Sequence, residues 1–277
     1  MSDKPSDPSS QRYIEMLFKS NRLSENAVRR AINTLEIEAG SYGLDAGCGA
    51  GLVTTWLAEA VGPRGRVIGI DSSCDMVGFA RTFAREGSCS TIIDFREGEI
   101  SSLPFDDNTF DWLWCKDTFW PASGVADPIA GMRELARVVR PGGKVALLFW
   151  SAQGLLPGYP ALEARLAVAM SNAIPYLKDI EPERHFLRAL GWMRAAQLTD
   201  LKAHCFADSV YGPLDEQLQK VMRDIYDMFF RELEAHVSTA DWSTLQRLCN
   251  PESNDYLARR PDYYFFLNYT LFRGVVN

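Results

Sequence analysis

Histidine is scarce in this 277-residue chain, and the three present, His185, His204 and His236, are widely spaced. The six cysteines, Cys48, Cys74, Cys89, Cys115, Cys205 and Cys249, form no CxxC pair and no Cys/His set at metal-ligand spacing. No metal site is expected, and the scatter fits six reduced thiols in a cytoplasmic protein. No apolar run approaches the ~20 residues of a membrane span, and no signal-peptide core follows Met1. Positive charge is also short: 29 Lys and Arg stand against 36 Asp and Glu, a formal net charge of -7. A nucleic-acid binder neutralises phosphates with a basic stripe, and none appears here. The expected partner is therefore a small molecule rather than DNA, RNA or an anionic membrane. What the chain does have is 47% hydrophobic and 23% charged residues, the balance of a soluble globular protein with a core of good size.

Residues 1–10, MSDKPSDPSS, are polar and rich in Pro and Ser, which predicts a disordered tail. Over 11–40 the spacing turns helical, through Tyr13, Ile14, Leu17 and Phe18 and then Leu23, Ala27, Val28, Ala31, Ile32 and Leu35, with Gly40 as the helix-closing glycine. From 41 to 150 short apolar segments alternate with helical ones. Strands are expected at 41–46, 66–71, 91–97, 110–116 and 144–150, helices near 52–60, 73–86 and 126–139, and a turn at Pro141-Gly142-Gly143. Such alternation predicts a parallel sheet buried on both faces. Over 151–277 the regularity breaks, although this stretch is expected to belong to the same domain. Helices are expected at 161–171, 183–198 and 214–237, strands near 199–210 and 263–274, and Ser238 with Asp241 resembles a capping box.

The sharpest motif is LDAGCGAGL, residues 44–52. A strand ends at Asp45, glycines at 47, 49 and 51 allow a tight turn, and a helix begins at once, presenting free N–H groups. The dinucleotide pattern GxGxxG is not met, because the glycines run GxGxG and position 52 is Leu. A carboxylate before the glycines also repels pyrophosphate and suits a ligand carrying an ammonium group. Asp71 closes the next strand, ~20 residues on, where an acid accepts hydrogen bonds from ribose hydroxyls. It is also a candidate cap for the helix that follows, with Ser72 and Ser73 as competitors. In GEISSLPF, 98–105, Glu99 is placed to accept from an adenine amino group and the Ile100 N–H to donate to a ring nitrogen.

Taken in order, LDAGCGAG, GIDSSCDM, GEISSLPF, FDWLWCKD and ELARVVRPGGKVAL resemble the class I S-adenosylmethionine-dependent methyltransferases, most closely the branch of quinone-biosynthesis and other small-molecule enzymes. The resemblance covers 43–149. It implies S-adenosyl-L-methionine as cofactor and a Rossmann-like α/β fold. The sheet would have seven strands, the last antiparallel, with helices on both faces and helical cap insertions near 151–198 and 211–261. It implies that Asp45, Gly47 and Gly49 hold the methionyl part, that Asp71 with Ser72 holds the ribose, and that Met76 packs on the adenine. Glu99 and Ile100 would read the adenine edge, with Lys116 beside the cofactor. The family more often has Asp at the position of Glu99. After the fourth strand it commonly has small polar residues or His, where this chain has Cys115, Lys116, Asp117, Phe119 and Trp120, so no acceptor is carried over.

The cofactor would carry an activated methyl group, leaving the protein to align a nucleophile and exclude water. Asp117 and His185 are the candidates for a catalytic base. Tyr13, Phe18, Trp120, Trp150 and Tyr176 are the candidates for lining an acceptor site, since aromatic rings pack apolar groups and attract a sulfonium. Residues 11–39, 151–198 and parts of 214–260 are expected to cap the carboxyl ends of the strands. A nicotinamide-dependent oxidoreductase and a non-catalytic cofactor-binding partner protein are the alternatives.

Overall fold

The computed structural model describes residues 8–120, 124–174, 178 and 180–277. Two helices, α1 (Pro8–Leu23) and α2 (Glu25–Asn33), precede the first strand. Helix α1 takes in residues 8–10 of the expected tail, while 1–7 lie outside the described residues. The N-terminal helical run ends before Gly40. The Thr34 hydroxyl bonds the Ala31 carbonyl at 2.7 Å and α2 stops at Asn33. Gly40, at φ +86°, instead makes the turn into the sheet, its N–H donating to the Val61 carbonyl.

The alternating region follows as β1 (Tyr42–Ala46), α3 (Leu52–Val61), β2 (Arg66–Asp71), α4 (Cys74–Arg85), β3 (Ile93–Glu97), β4 (Phe110–Lys116), α5 (Pro128–Arg137) and β5 (Val139–Gly154). Local chemistry sets several of these boundaries. Asp127 caps α5 through the N–H groups of Ile129 and Ala130, with Pro128 in the first turn where its missing N–H costs nothing. The Pro141-Gly142-Gly143 turn is absorbed into β5, leaving a register shift against β4 and a positive φ at Gly142. Later come α6 (Pro160–Ala173), α7 (Ala189–Ala195), β6 (Thr199–Tyr211), α8 (Glu216–Phe230), α9 (Thr239–Cys249) and β7 (Tyr264–Val275). The expected helix 183–198 is α-helical only over Ala189–Ala195 and is preceded by two 3-10 turns, between which His185 Nδ1 accepts the Leu187 N–H. The expected helix 214–237 tightens into a 3-10 turn after Phe230, with Leu233 still buried. Ser238 caps α9 through the Asp241 N–H, as its spacing predicted.

The seven strands form one sheet in the order β3-β2-β1-β4-β5-β7-β6, with the last strand antiparallel. The pairs β1–β2, β1–β4, β2–β3 and β4–β5 are parallel. Leu44, Ile68, Leu113, Val145 and Leu147 are wholly buried, as strands covered on both faces require. Strand order reverses between β1 and β4. In open α/β sheets this point leaves a crevice at the carboxyl ends where ligands bind.

The chain divides into two compact units. One comprises Met1–Ser151, Pro182–Phe206 and Tyr269–Asn277; the other comprises Ala152–Glu181 and Ala207–Asn268. The helices before the sheet and the ends of β6 and β7 therefore go with the glycine-motif unit. The second unit has its own core, in which the Tyr226 and Tyr263 hydroxyls meet at 2.9 Å and Tyr263 also bonds the Leu155 carbonyl. No helix of the described residues is long and apolar enough to cross a membrane, and all six cysteines are free.

Candidate cofactor site

The glycine turn sits at the reversal point. Gly47, at φ +78°, lies so close to Thr118 beyond β4 that an added Cβ would approach that side chain at 2.4 Å. Gly49, at φ +51°, faces open space with nothing within 4 Å of the same position. One glycine thus locks the loop to β4, and the other leaves open space where a side chain would stand. Helix α3 starts after Gly51 with no side-chain cap, so its first N–H groups remain for a ligand.

Asp45 is 1% exposed, and its Oδ2 accepts a 2.6 Å hydrogen bond from the Thr54 hydroxyl. Burial pushes its carboxyl up to about 7, an effect opposed by the Thr54 bond, reinforced by the charge of Asp71 and opposed by Lys116. A dehydrated carboxyl at the mouth of the loop favours a cationic ligand group. Asp71, half-buried at the end of β2, accepts the Gly49 N–H at 2.9 Å on Oδ2 and the Ser73 N–H at 3.0 Å on Oδ1. Each oxygen retains a lone pair for a further donor. The cap of α4 is Ser73, bonded by the Met76 N–H, while Ser72 is exposed. Met76 is buried and packs with Ile14 of α1 and Ala50 of the loop. Tyr13 is half-exposed, and its phenol is raised above the ordinary value by burial and then by the charge of Asp71, which lies nearby.

Glu99 is exposed at the start of the loop after β3, and Ile100 beside it is buried. This loop is fastened from α5. Arg137 donates to the Phe105 carbonyl at 2.8 Å, the Leu103 carbonyl at 3.1 Å and Asp107 Oδ1 at 2.7 Å, while Glu134 accepts the Leu103 N–H at 2.7 Å. Arg137 was not singled out from the sequence, where it is one basic residue in a helix tail.

At the end of β4, Lys116 Nζ meets Asp117 Oδ2 at 2.5 Å and Asn21 Oδ1 of α1 at 3.1 Å, and lies 4.8 Å from the centre of the Tyr269 ring on β7. Burial disfavours its charge, but Asp117 and then Tyr269 hold the ammonium protonated above the ordinary lysine range. Burial pushes the Tyr269 phenol up to about 12, with Lys116 opposing the rise. Asp117, at φ +50°, is also fixed by the Trp150 N–H on Oδ1 at 2.7 Å. Asn21 and Tyr269 carry no sequence signal, since they meet Lys116 only in the fold.

The expected aromatics do not converge on one point. Phe18 packs edge-on against Phe79 and Phe83 of α4. Trp120 joins Phe149 and Phe186, and His185 stacks on Phe186 at 4.4 Å with its pKa lowered by burial. Trp150 lies 5.9 Å from Tyr269, beside the Lys116 cluster. Tyr176 lies outside the described residues.

Residues 44–147 match the model of the methyltransferase domain family. This segment is a class I methyltransferase domain. An uncharacterized 37.1 kDa protein of transposon TN4556 in Streptomyces fradiae is 38% identical to the chain over 136 residues, covering 49% of the chain and 38% of that protein. A demethylmenaquinone methyltransferase of Desulfitobacterium hafniense is 33% identical over 131 residues, covering 47% of the chain and 50% of the relative. The chain thus spans half or less of the length of these curated relatives. Among solved structures, geranyl diphosphate C-methyltransferase from Streptomyces coelicolor superposes with a TM-score of 0.53 at 16% identity, over 99% of this chain and 88% of that one. The likeness shows the shared fold. The methyltransferase domain contains the glycine turn, Asp71, Glu99 and the Lys116–Asp117 pair, whereas Tyr13, Asn21 and Tyr269 come from outside it.

Proposed function

We propose that the chain transfers a methyl group from S-adenosylmethionine to a small-molecule acceptor. The observation that carries this reading is the buried Asp45 beside the open Gly49 backbone, which suits an ammonium-bearing amino-acid end. A dinucleotide pyrophosphate would meet like charge there, which disfavours the nicotinamide alternative. The methyltransferase match over 44–147, and relatives whose names describe quinone methylation, support the same reading.

The residues present fit the cofactor from end to end. Asp45, Gly47 and Gly49 hold the methionyl end. Asp71, with Ser72, takes the ribose hydroxyls on its remaining lone pairs. Met76 packs on the adenine, and Glu99 with the Ile100 N–H binds its polar edge. Lys116 lies beside the cofactor through its backbone. When bound, the cofactor supplies a methyl group on a sulfonium, open to in-line displacement. Asp117, held by Lys116 and the Trp150 N–H, stands at the acceptor end and accepts the proton of an acceptor O–H or N–H as the methyl group is transferred. Trp150, whose backbone N–H bonds Asp117, is the aromatic candidate for this end. The net charge of -7 supports a small acceptor over a nucleic acid.

Calorimetry with S-adenosylhomocysteine, S-adenosylmethionine and NAD tests the cofactor. Tight binding of the first two and none of NAD is expected, and tighter binding of NAD than of S-adenosylhomocysteine sinks the reading. Mass spectrometry of metabolite pools incubated with the protein and labelled S-adenosylmethionine should find a product one labelled methyl heavier. Salt-sensitive binding of RNA or DNA at physiological ionic strength would refute the small-acceptor assignment.

A further inference from the structure

We infer that Lys116 is a positioning residue that latches helix α1 across the cofactor crevice while orienting the Asp117 carboxylate at the acceptor end; this rests on the methyl-transfer reading above. Lys116 is a buried cation, with only 10% of its side chain exposed. An ammonium so placed is strongly disfavoured by desolvation unless it is fully paired. Its partners come from three parts of the fold: Asp117 after β4, Asn21 in the last turn of α1, and Tyr269 on β7. Ser24, the residue between α1 and α2, donates its hydroxyl to the Asn21 carbonyl at 2.9 Å, so the residue that meets Lys116 is also tied to the α1–α2 junction.

The consequence follows from the path of α1. Near its start, the Tyr13 phenol is raised by burial and then by the charge of Asp71, the acid assigned to the ribose. One residue on, Ile14 packs on Ala50 of the glycine turn and Met76 of α4. Eight residues after Tyr13, Asn21 reaches Lys116. At 1.5 Å per residue the helix covers about 12 Å between those points, passing from the ribose acid to the acceptor end. It therefore lies over the line a bound cofactor would take. Its apolar contacts there include Ile14, with Leu17 and Phe18 packed against the same cluster and Phe18 edge-on to Phe79 and Phe83. For the cofactor to exchange, α1 must lift, and the Asn21–Lys116 bond must break while Lys116 stays on Asp117 and Tyr269.

The test pairs Asn21→Ala with Asn21→Asp, which keeps an oxygen opposite the ammonium. Lys116→Met probes the other partner, and the Asn21 variants keep the test intact if that buried substitution fails to fold. Two readouts are measured: the dissociation rate of S-adenosylhomocysteine by stopped flow, and amide hydrogen exchange over 8–23 in the unliganded protein. Asn21→Ala should accelerate dissociation and raise exchange over 8–23 by about tenfold, as loss of a hydrogen bond to a charged group implies, with exchange in the sheet unchanged. Asn21→Asp should restore slow dissociation. Adding Asn21→Ala to Lys116→Met should change nothing further, because the shared bond is already gone. The latch is refuted if Asn21→Ala leaves both readouts at the wild-type level, or if the two single variants add. If wild-type protein binds no S-adenosylhomocysteine, the methyl-transfer reading fails, and the exchange measurement still decides whether Asn21 and Lys116 hold α1.

Discussion

Replacing Asp45 by Asn should stabilise the fold at neutral and alkaline pH while abolishing cofactor binding. In the unfolded chain an aspartate titrates near ~3.9, and in the folded protein burial pushes Asp45 up to about 7. Below about pH 4 the carboxyl is protonated in both states and carries no penalty. Between about 4 and 7 the unfolded chain releases its proton while the folded chain keeps it, so stability falls by about 1.4 kcal/mol per pH unit from this group. By pH 7 the accumulated cost is about 4 kcal/mol, and it stays constant above. Asn stays neutral throughout and still accepts from the Thr54 hydroxyl. Its amide N–H groups need new partners, an offset of roughly 1–3 kcal/mol. The net expectation is a gain of about 2 kcal/mol at pH 8, or about 4–8 °C in melting temperature, shrinking to nothing near pH 5. Calorimetric melts of both proteins from pH 5 to 8 read this directly, and titration with S-adenosylhomocysteine at pH 8 reads the lost site. Parallel pH profiles for the two proteins would falsify the argument, because the slope difference belongs to Asp45 alone.

Asp71→Ala should weaken S-adenosylhomocysteine binding by roughly 1.5–3 kcal/mol in calorimetry, and should raise hydrogen exchange at Gly49 and Ser73, whose N–H groups lose their acceptor; unchanged affinity would remove Asp71 from the site. Gly47→Ala should cost about 1–3 kcal/mol of stability from the positive φ, with more from the approach to Thr118; a melt equal to wild type would show that the loop relaxes freely. Arg137→Ala should loosen residues 99–107, seen as faster exchange there, and lower affinity for adenosine-bearing ligands without touching them directly. Wild-type affinity for S-adenosylhomocysteine should rise between pH 5.5 and 8 as Asp45 ionises; a flat profile from calorimetry would contradict the ammonium assignment.

What could be read from the sequence is divided by distance along the chain. Asp45, Gly47 and Gly49 lie within one strand and turn, so their constraints are written in neighbouring residues and the loop was legible, whereas Thr54, which bonds Asp45, was not singled out. Asp71 lies one βαβ step away, at a spacing fixed by helix and strand lengths, and was equally legible. The continuous apolar runs of β4 and β5 likewise announced strands buried on both faces. Where local chemistry competed with periodicity, the reading failed. The apolar spacing of 183–198 suggests a helix, but the His185 ring takes the Leu187 N–H and only Ala189–Ala195 is α-helical. Pairings made only by the fold left no trace, although Lys116 itself was expected beside the cofactor. Asn21 and Lys116 are 95 residues apart, and Arg137 reaches back 32 residues to the Phe105 carbonyl. Each is a polar residue on a helix or strand end, where composition predicts a solvated surface. Their pairing is decided by which strand ends the sheet order brings together, so the local motifs specify the glycine turn and Asp71, and the topology specifies what fastens α1 and the loop after β3.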